Sequence, residues 1–246
     1  SIRKAQISFS ERHDKDSVVV INLAIGNISR PMYPAMRKAL FDLGTKRKSD
    51  GVVKYTPTVG TDKARNAFLK ILSAEGYDKT GIFSMITDGG SSAMELMLLG
   101  VCGPASSNPI LFLDPTYTNY IDFANRLSIP IVSVNRQIDD NGSFTSLNMN
   151  EIESLIIKEN PKGLLLIPYD NPTGQFLSKK VICDLAEIAV RNDIWLISDE
   201  AYRSLSYVGN ESSSIWALNE SDVKGISGRR ISIESASKVW NACGLR

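Results

Sequence analysis

Residues 163–199 read GLLLIPYDNPTGQFLSKKVICDLAEIAVRNDIWLISD, and this stretch decides the fold. Its first apolar run, at 163–167, has the length and the bounding turn residues of a buried strand. Residues 178–191 are predicted to form a helix with Ser178 as its N-cap, because serine accepts a hydrogen bond from a free backbone N–H at that position. A second apolar run at 194–197 completes the series strand, helix, strand, which indicates a βαβ crossover between parallel strands.

The same alternation continues on both sides of this unit. Further strands are predicted at 83–87, 110–113, 130–134 and 231–233, and further helices around 93–99 and 147–159. The fold class that follows is α/β, with a mostly parallel sheet and helices on both faces. In such sheets ligands bind beyond the carboxyl ends of the strands, so polar residues at those ends are the first candidates for a site.

The N-terminal part of the chain has a different character. A β-branched run at 18–21 leads to a turn-rich loop at 26–31 and then to a helix predicted around 34–43. We interpret residues 1–50 as an N-terminal arm and part of a small domain. Residues 51–246 are interpreted as the large domain, which would hold the main site.

Composition limits the classes of function. A hydrophobic fraction of 43%, a charged fraction of 22% and a net charge of +1 are typical of a globular chain without a strong field for nucleic acid or anionic membranes. The single histidine, His13, leaves almost no material for a Ser-His-Asp triad or a multi-histidine metal site, so no metal is expected. Three separated cysteines argue for a reducing compartment. No apolar run reaches the ~20 residues needed to span a bilayer, and no signal peptide is visible, so a cytoplasmic location is expected.

The sequence Ser235-Ala236-Ser237-Lys238 follows the last predicted strand. A partly desolvated lysine keeps more of the neutral amine that condenses with an aldehyde to a Schiff base. The serine hydroxyls and the guanidinium of Arg246 are groups that a phosphate dianion uses as partners. Taken alone, these residues are equally compatible with a surface lysine in a loop.

Three other polar segments also follow predicted strands. Asp199 comes after the run at 194–197, where a carboxylate could keep a pyridine nitrogen protonated or could merely cap the next segment. Asn171 lies in the turn Asp-Asn-Pro-Thr-Gly at 170–174, which could serve only to end the strand and connect it to the next element. The glycine-rich segment 88–92 joins a predicted strand to a helix, where free backbone N–H groups form an anion site.

The order of these segments is more specific than any one of them. A glycine-rich turn, Asn-Pro-Thr-Gly, Asp-x-x-Tyr and Ser-x-Ser-Lys, with an arginine eight positions after the lysine, follow one another along the chain. This pattern resembles the fold-type I, class I/II aminotransferases, including their aspartate and diaminopimelate branches, and the resemblance covers residues 21–246. It implies pyridoxal 5′-phosphate (PLP) as the cofactor and transfer of an amino group between an amino acid and a 2-oxo acid.

The resemblance assigns the residues around the cofactor ring. Lys238 would carry PLP as a Schiff base and afterwards move a proton between the substrate and the cofactor. Asp199 would pair with the pyridinium nitrogen, while Asn171 and Tyr202 would hydrogen-bond the phenolate oxygen. Tyr117 would stack on the ring. The catalytic set implied by the family is therefore Lys238, Asp199 and Tyr202.

The resemblance also assigns contacts to the phosphate and the substrate. The phosphate would be held by Gly90, Ser91, Ser235, Ser237 and Arg246. Tyr55 would reach the phosphate of a neighbouring subunit, which implies a homodimer. Gly26 and Asn171 would contact the substrate.

Two expectations follow from where this chain departs from the family. Members run well beyond the arginine at position 246 into a C-terminal small domain, so the chain is expected to be a fragment that lacks it. The arginine that grips the substrate carboxylate would lie in that part, and the amino donor is therefore left open. The expected partners are small molecules, with neither nucleic acid nor membrane among them.

Competing interpretations are weaker. Ser235 and Lys238 also satisfy Ser-x-x-Lys of the penicillin-binding proteins, but Ser-Asp-Asn is missing and Lys-Thr-Gly precedes the serine instead of following it. A dinucleotide-binding protein would need Gly-x-Gly-x-x-Gly after a strand, which is absent. The alternative that stays open is a PLP-binding relative that does not transaminate, either a lyase or a ligand-sensing domain.

Overall fold

The computed structural model of the chain describes residues 2–21, 26, 30–46, 52, 54–205, 209 and 212–245. The helices among them are α1 Ile2–Ser10, α2 Pro34–Lys46, α3 Asp62–Ala74, α4 Gly90–Cys102, α5 Thr118–Arg126, α6 Met149–Glu159 and α7 Lys179–Arg191. The strands are β1 Ile110–Asp114, β2 Ile131–Asn135, β3 Gly163–Leu166, β4 Trp195–Asp199 and β5 Arg230–Ile233. Two short 3-10 helices, Ile215–Ala217 and Ile226–Gly228, lie between β4 and β5.

The strands form one parallel sheet in the order β2-β1-β3-β4-β5. From β1 the chain moves outward to β2, then returns to place β3, β4 and β5 on the other side of β1. The direction of winding thus reverses between β1 and β3, and a crevice opens at the carboxyl ends of the strands at such a reversal. The predicted α/β class with a parallel sheet is confirmed.

Both faces of the sheet are buried, which explains the nearly continuous apolar strands. Alternate side chains point to opposite faces. Leu111 and Leu113 of β1 pack in the cluster that includes α6 and α7, whereas Ile110 and Phe112 pack in the cluster that includes α4 and α5. These four side chains are almost fully buried, and each contributes roughly 2 kcal/mol of burial free energy. The sheet is therefore a rigid support for the loops at its edge.

Helix α7 shows how the local sequence sets an element boundary. The Ser178 side chain accepts a hydrogen bond from the backbone N–H of Val181, so the helix begins where the N-cap was predicted. Buried residues on α7 recur at helical spacing and face the sheet, namely Ile182, Leu185, Ala186, Ile188 and Ala189. The βαβ unit predicted from residues 163–199 is confirmed.

One strand prediction is wrong. Residues 83–87 belong to no strand of the described sheet. The Ile86 N–H donates to the Val59 carbonyl oxygen at 3.1 Å. Paired strands form a regular series of such backbone hydrogen bonds, and this single bond does not make one. Phe83 is 93% exposed and Met85 is 50% exposed, so the alternating apolar pattern here is not explained by burial against this sheet.

The helix predicted around 34–43 is found as α2. The division of the chain at residue 50 stays a prediction, since the segment around it lies largely outside the described residues. Within the described part of the chain, no helix combines the length and the apolar character needed to cross a bilayer.

Candidate active site

The candidate residues gather at one edge of the sheet. Asp199 is the last residue of β4, and Lys238 lies in the loop after β5. Asn171 lies in the turn after β3, and Tyr117 follows β1. Because the strands are parallel, these segments all leave the sheet on the same side, where ligands bind in sheets of this kind.

Asp199 is buried beneath this edge, with an exposed fraction of 5%. Its Oδ2 accepts a hydrogen bond from the Tyr120 hydroxyl at 3.0 Å, and its Oδ1 accepts one from the Ala201 N–H at 3.0 Å. Burial raises the pKa of Asp199 to about 6, although both hydrogen bonds oppose the rise. The nearby carboxylates of Glu234 and Asp170 raise this pKa further.

The surroundings of Asp199 fit a cationic ring nitrogen. Among the described residues, no lysine or arginine forms an ion pair with its carboxylate, and the largest influences on its pKa after burial are two hydrogen-bond donors and two other carboxylates. A buried carboxylate in this setting is costly to ionise unless a positive charge is supplied. A pyridinium N–H above the end of β4 would supply that charge and a hydrogen bond together.

Lys238 is half-buried at the same edge. Its Nζ donates a hydrogen bond to the carbonyl oxygen of Gly26 at 2.8 Å and lies 5.8 Å from the centre of the Tyr202 ring. A Cβ atom at position 26 would stand 3.3 Å from Nζ, so the absence of a side chain there keeps the amine accessible. The structure thus brings Gly26, Lys238 and Tyr202 together, and their contacts with a substrate and a cofactor stay predictions.

Two tyrosines, Tyr202 and Tyr117, belong to the same region as Lys238 and Asp199. Burial raises the pKa of Tyr202, and the charges of Asp199 and Tyr117 add to the rise, which places the three groups within electrostatic reach of one another. The Tyr117 ring lies edge-on to Tyr120 with centroids 6.2 Å apart. Half-buried aromatic rings near a buried carboxylate suit an aromatic ligand.

A second part of the site has the features of an anion cradle. Helix α4 begins at Gly90, preceded by Gly89 with φ of 91°, a backbone conformation that favours glycine. A Cβ atom at Gly90 would lie 4.0 Å from the Cβ of Ser235. The Ser235 hydroxyl donates to the Ser237 hydroxyl at 2.8 Å and accepts from the Ser237 N–H at 3.1 Å. Backbone donors of a helix start therefore face a pair of hydroxyls, and this combination binds phosphates in many proteins.

Two of the predicted residues that the structure describes are not tied into this cluster, and a third lies outside the described part of the chain. Ser91 is exposed on the first turn of α4. Tyr55 is fully exposed, in keeping with a side chain whose partner would be on another subunit. Arg246 lies outside the described residues, so its predicted phosphate contact stays a prediction.

Asn171 is presented by a tightly closed turn. The Gly174 N–H donates to the Asp170 carbonyl at 3.0 Å, and the Asp170 N–H donates to the Gln175 carbonyl at 2.9 Å. The Asn171 side chain is half-buried between these anchored ends. The backbone hydrogen bonds of the predicted turn at 170–174 therefore hold Asn171 in a defined position.

Sequence reasoning missed two residues that support the site. Tyr120 is fully buried and donates to Asp199, and Arg136 pairs with Asp170 in the interior. The spacing of Tyr117 and Tyr120, three residues apart at a helix start, is a signal for the first. The signal for Arg136 is its position just beyond the predicted strand at 130–134, where a charged residue lies at the carboxyl end of the sheet.

A parallel α/β sheet with a half-buried lysine, a buried aspartate and a phosphate cradle at one edge is the large-domain architecture of PLP-dependent transferases. The model of the family described as aminotransferase class I and II matches residues 18–246. The chain belongs to this family. The predictions of family and fold are thus confirmed, and the comparisons agree with PLP as the cofactor that the sequence predicts.

Individual relatives support the same assignment. An aspartate aminotransferase of Sulfolobus acidocaldarius is 29% identical over 232 residues, which are 93% of this chain and 54% of that protein. The solved structure of N-succinyldiaminopimelate aminotransferase from Mycobacterium tuberculosis matches with a TM-score of 0.76 at 25% identity, over 89% of this chain and 54% of that one. A PLP-bound C-S lyase from Staphylococcus hominis shares the fold, with a TM-score of 0.72 at 19% identity over 90% and 54% of the two chains. The chain spans about half the length of the curated relatives it matches.

Proposed function

We propose that the protein of which this chain forms a part is a PLP-dependent aminotransferase, which moves an amino group between an amino acid and a 2-oxo acid. The observation that carries the proposal is the buried Asp199 carboxylate, which forms no ion pair with a lysine or arginine of the described residues and lies in one site with Lys238 and Tyr202. Family membership supplies the reaction class. The relatives act on different amino acids, so the particular donor is left out of the proposal.

Each residue around the ring has a physical task. When bound, PLP acts as an electron sink for negative charge at the substrate α-carbon. Asp199 would hold a proton on the ring nitrogen, while Asn171 and Tyr202 would donate hydrogen bonds to the ring oxygen. Lys238 would anchor the cofactor and then, as a free amine, carry the proton. Tyr117 would cover one face of the ring and exclude water.

The remaining residues would anchor the cofactor and the substrate. Backbone donors at Gly90, with Ser235 and Ser237, would bind the phosphate dianion, and Ser91 and Arg246 would complete the cradle. Gly26 would contact the substrate beside Lys238. A phosphate fixed in this way leaves the ring with one orientation over Asp199.

A direct test uses the spectrum of the bound cofactor. The chain loaded with PLP is expected to absorb near the visible edge, and addition of an amino acid should convert this band to that of the pyridoxamine form while a 2-oxo acid appears. A panel of amino acids, with D-enantiomers as controls, would identify the donor. A band that shifts with every ligand but never converts would contradict transamination and favour a lyase or a ligand sensor.

We further propose a homodimer, in which a second copy covers an exposed apolar surface. This surface is formed by Tyr55, Val59, Phe83 and Met85, whose exposed fractions range from 41% to 106%. The hydrogen bond between Ile86 and Val59 joins its two segments. Exposed apolar groups that lie together mark interaction sites, and Tyr55 would then reach the phosphate of the partner.

The interface has a matched pair of variants. Phe83→Asp is expected to lower the association constant of the dimer at least ~10-fold, because the aspartate would place a charge without a partner in the interface. Sedimentation velocity would show this change as a smaller dimer fraction. Ile157→Asp, at an exposed isoleucine of α6, is the control and should leave the oligomeric state unchanged. Equal sedimentation of both variants and the parent chain would contradict this interface.

We also propose a cytoplasmic location. The three cysteines, all within the described part of the chain, form no disulfide, as expected in a reducing compartment. Burial raises the pKa of the Cys102 thiol to about 11, so this cysteine is unreactive at neutral pH.

A further inference from the structure

Arg136 is a buried arginine whose contacts extend beyond its ion pair with Asp170. It directly follows β2, and its side chain is 2% exposed. A buried guanidinium is costly unless its five N–H donors find acceptors and its charge is balanced. The positions of those acceptors therefore reveal what the residue organises.

One set of acceptors lies at the carboxyl end of β1. The Arg136 Nη2 donates to the carbonyl oxygens of Leu113, at 3.1 Å, and of Pro115. The Nε donates to the Asp114 carbonyl at 3.4 Å, and the backbone N–H of Arg136 donates to the same oxygen at 2.7 Å. Arg136 thus fixes the three residues that lead from β1 to the segment of Tyr117.

A second set lies in the turn after β3. The Arg136 Nη1 donates to Asp170 Oδ2 at 2.7 Å, to Gln175 Oε1 at 3.1 Å and to the Thr173 hydroxyl at 3.4 Å. The Asp170 side chain is 4% exposed, so its charge compensates that of the guanidinium inside the protein. The Thr173 hydroxyl in turn donates to the Asp170 carboxylate. Asn171 lies between two residues that Arg136 holds directly.

Arg136 therefore connects the ends of β1, β2 and β3 around the point where the winding of the sheet reverses. Lysine has a single nitrogen and no planar fork, so it could pair with Asp170 but could not reach both sets of acceptors. Only arginine can satisfy both sets of acceptors. A buried ion pair contributes little net stability, so we infer that this one serves to hold a single arrangement of the three strand ends.

We propose that Arg136 is a positioning residue for the cofactor ring, which acts by holding Asn171 at the ring oxygen. The inference rests on the proposed function, because Asn171 has this task only when PLP is bound. An asparagine N–H that donates to the phenolate oxygen competes with the proton on the neighbouring Schiff-base nitrogen. Loss of that donor leaves the proton more tightly held, so the pKa of the Schiff base rises.

The test is a double-mutant cycle read by absorbance. The pKa of the Schiff base is measured by spectral titration in the PLP-loaded chain for the parent, Arg136→Lys, Asn171→Ala and the double variant. Each single change is expected to raise this pKa by about one unit, as for the loss of one hydrogen bond to a charged group. In the double variant the pKa should match that of Asn171→Ala alone, because Arg136 acts through Asn171.

The control is Arg191→Lys, in the exposed pair with Glu153, which should not change the Schiff-base pKa. A purely structural role of Arg136 would lower the unfolding midpoint of Arg136→Lys and leave the spectral pKa where it is. That result overturns the proposal, as does a double variant in which the two shifts add.

A second variant covers the case in which Arg136→Lys does not fold. Asp170→Asn keeps the shape of the turn and removes the charge that holds the guanidinium, so it should raise the Schiff-base pKa in the parent but not in Asn171→Ala. An unchanged pKa for Asp170→Asn in the parent overturns the proposal. If the parent chain forms no Schiff base while it is folded, the proposed function itself fails. If the parent and Asn171→Ala behave as expected, only the role of Arg136 is in question.

Discussion

Lys238→Ala is expected to bind PLP without a covalent bond and to lose half-transamination by at least ~10³-fold, since one change removes both the anchoring amine and the group that carries the proton. Cofactor binding should persist, because the phosphate cradle and Asp199 do not depend on the lysine. Rates of conversion to the pyridoxamine form under single-turnover conditions, with PLP affinity followed by fluorescence, measure both effects.

The matched control is Lys180→Ala. Lys180 is an exposed lysine of α7 that pairs with Asp184, on the far side of the sheet from the cradle at α4. Its replacement should leave the conversion rate within about two-fold of the parent, the range usual for surface substitutions. Turnover retained in Lys238→Ala, at a level comparable to Lys180→Ala, would remove Lys238 from the mechanism.

Asp199→Asn is expected to be the second most damaging change. Asparagine keeps the size of the side chain but removes the negative charge that would stabilise the pyridinium, so conversion should slow by roughly 10²–10³-fold. The effect should fall on the chemical step, with PLP still bound through its phosphate. A rate near that of the parent would show that the ring nitrogen does not lie at Asp199.

The same variant has an opposite effect on the stability of the chain without cofactor. The pKa of Asp199 is 3.8 in an unfolded chain and about 6 in the folded one, so between these values the folded state binds more protons. The parent therefore loses stability as pH rises from about 4 to about 6, and Asp199→Asn lacks this loss. The free energy of unfolding should shift by about 3 kcal/mol in favour of the variant over this range, measured by urea titrations at each pH. A difference independent of pH would contradict the burial of an ionisable Asp199.

The sheet could be predicted because each of its buried strands appears in the sequence as a short, nearly continuous apolar run. All five strands lie within two residues of the runs predicted at 110–113, 130–134, 163–167, 194–197 and 231–233. Residues 83–87 have the alternating pattern of a strand, yet Phe83 and Met85 are exposed. A pattern of apolar side chains indicates that a surface is to be covered, but it does not tell whether the sheet or another subunit covers it.

The functional groups at strand ends could also be predicted, because they stand in ordered motifs. Asp199, Tyr202 and Lys238 come together as expected. Local sequence can single out Tyr120 and Arg136 but does not give their partners, since Asp199 and Asp170 are 79 and 34 residues away. Such contacts depend on which strand ends become neighbours, and that follows only from the strand order.

The account depends above all on a covalent bond between PLP and the amine at position 238. Borohydride adds hydride to a Schiff base and converts it to a stable secondary amine, so the cofactor stays attached during proteolysis. After reduction of the PLP-loaded chain, peptide mass spectrometry is expected to find one phosphopyridoxyl group, located on Lys238. A label distributed over exposed lysines, or one fixed at a residue other than Lys238, would contradict the account.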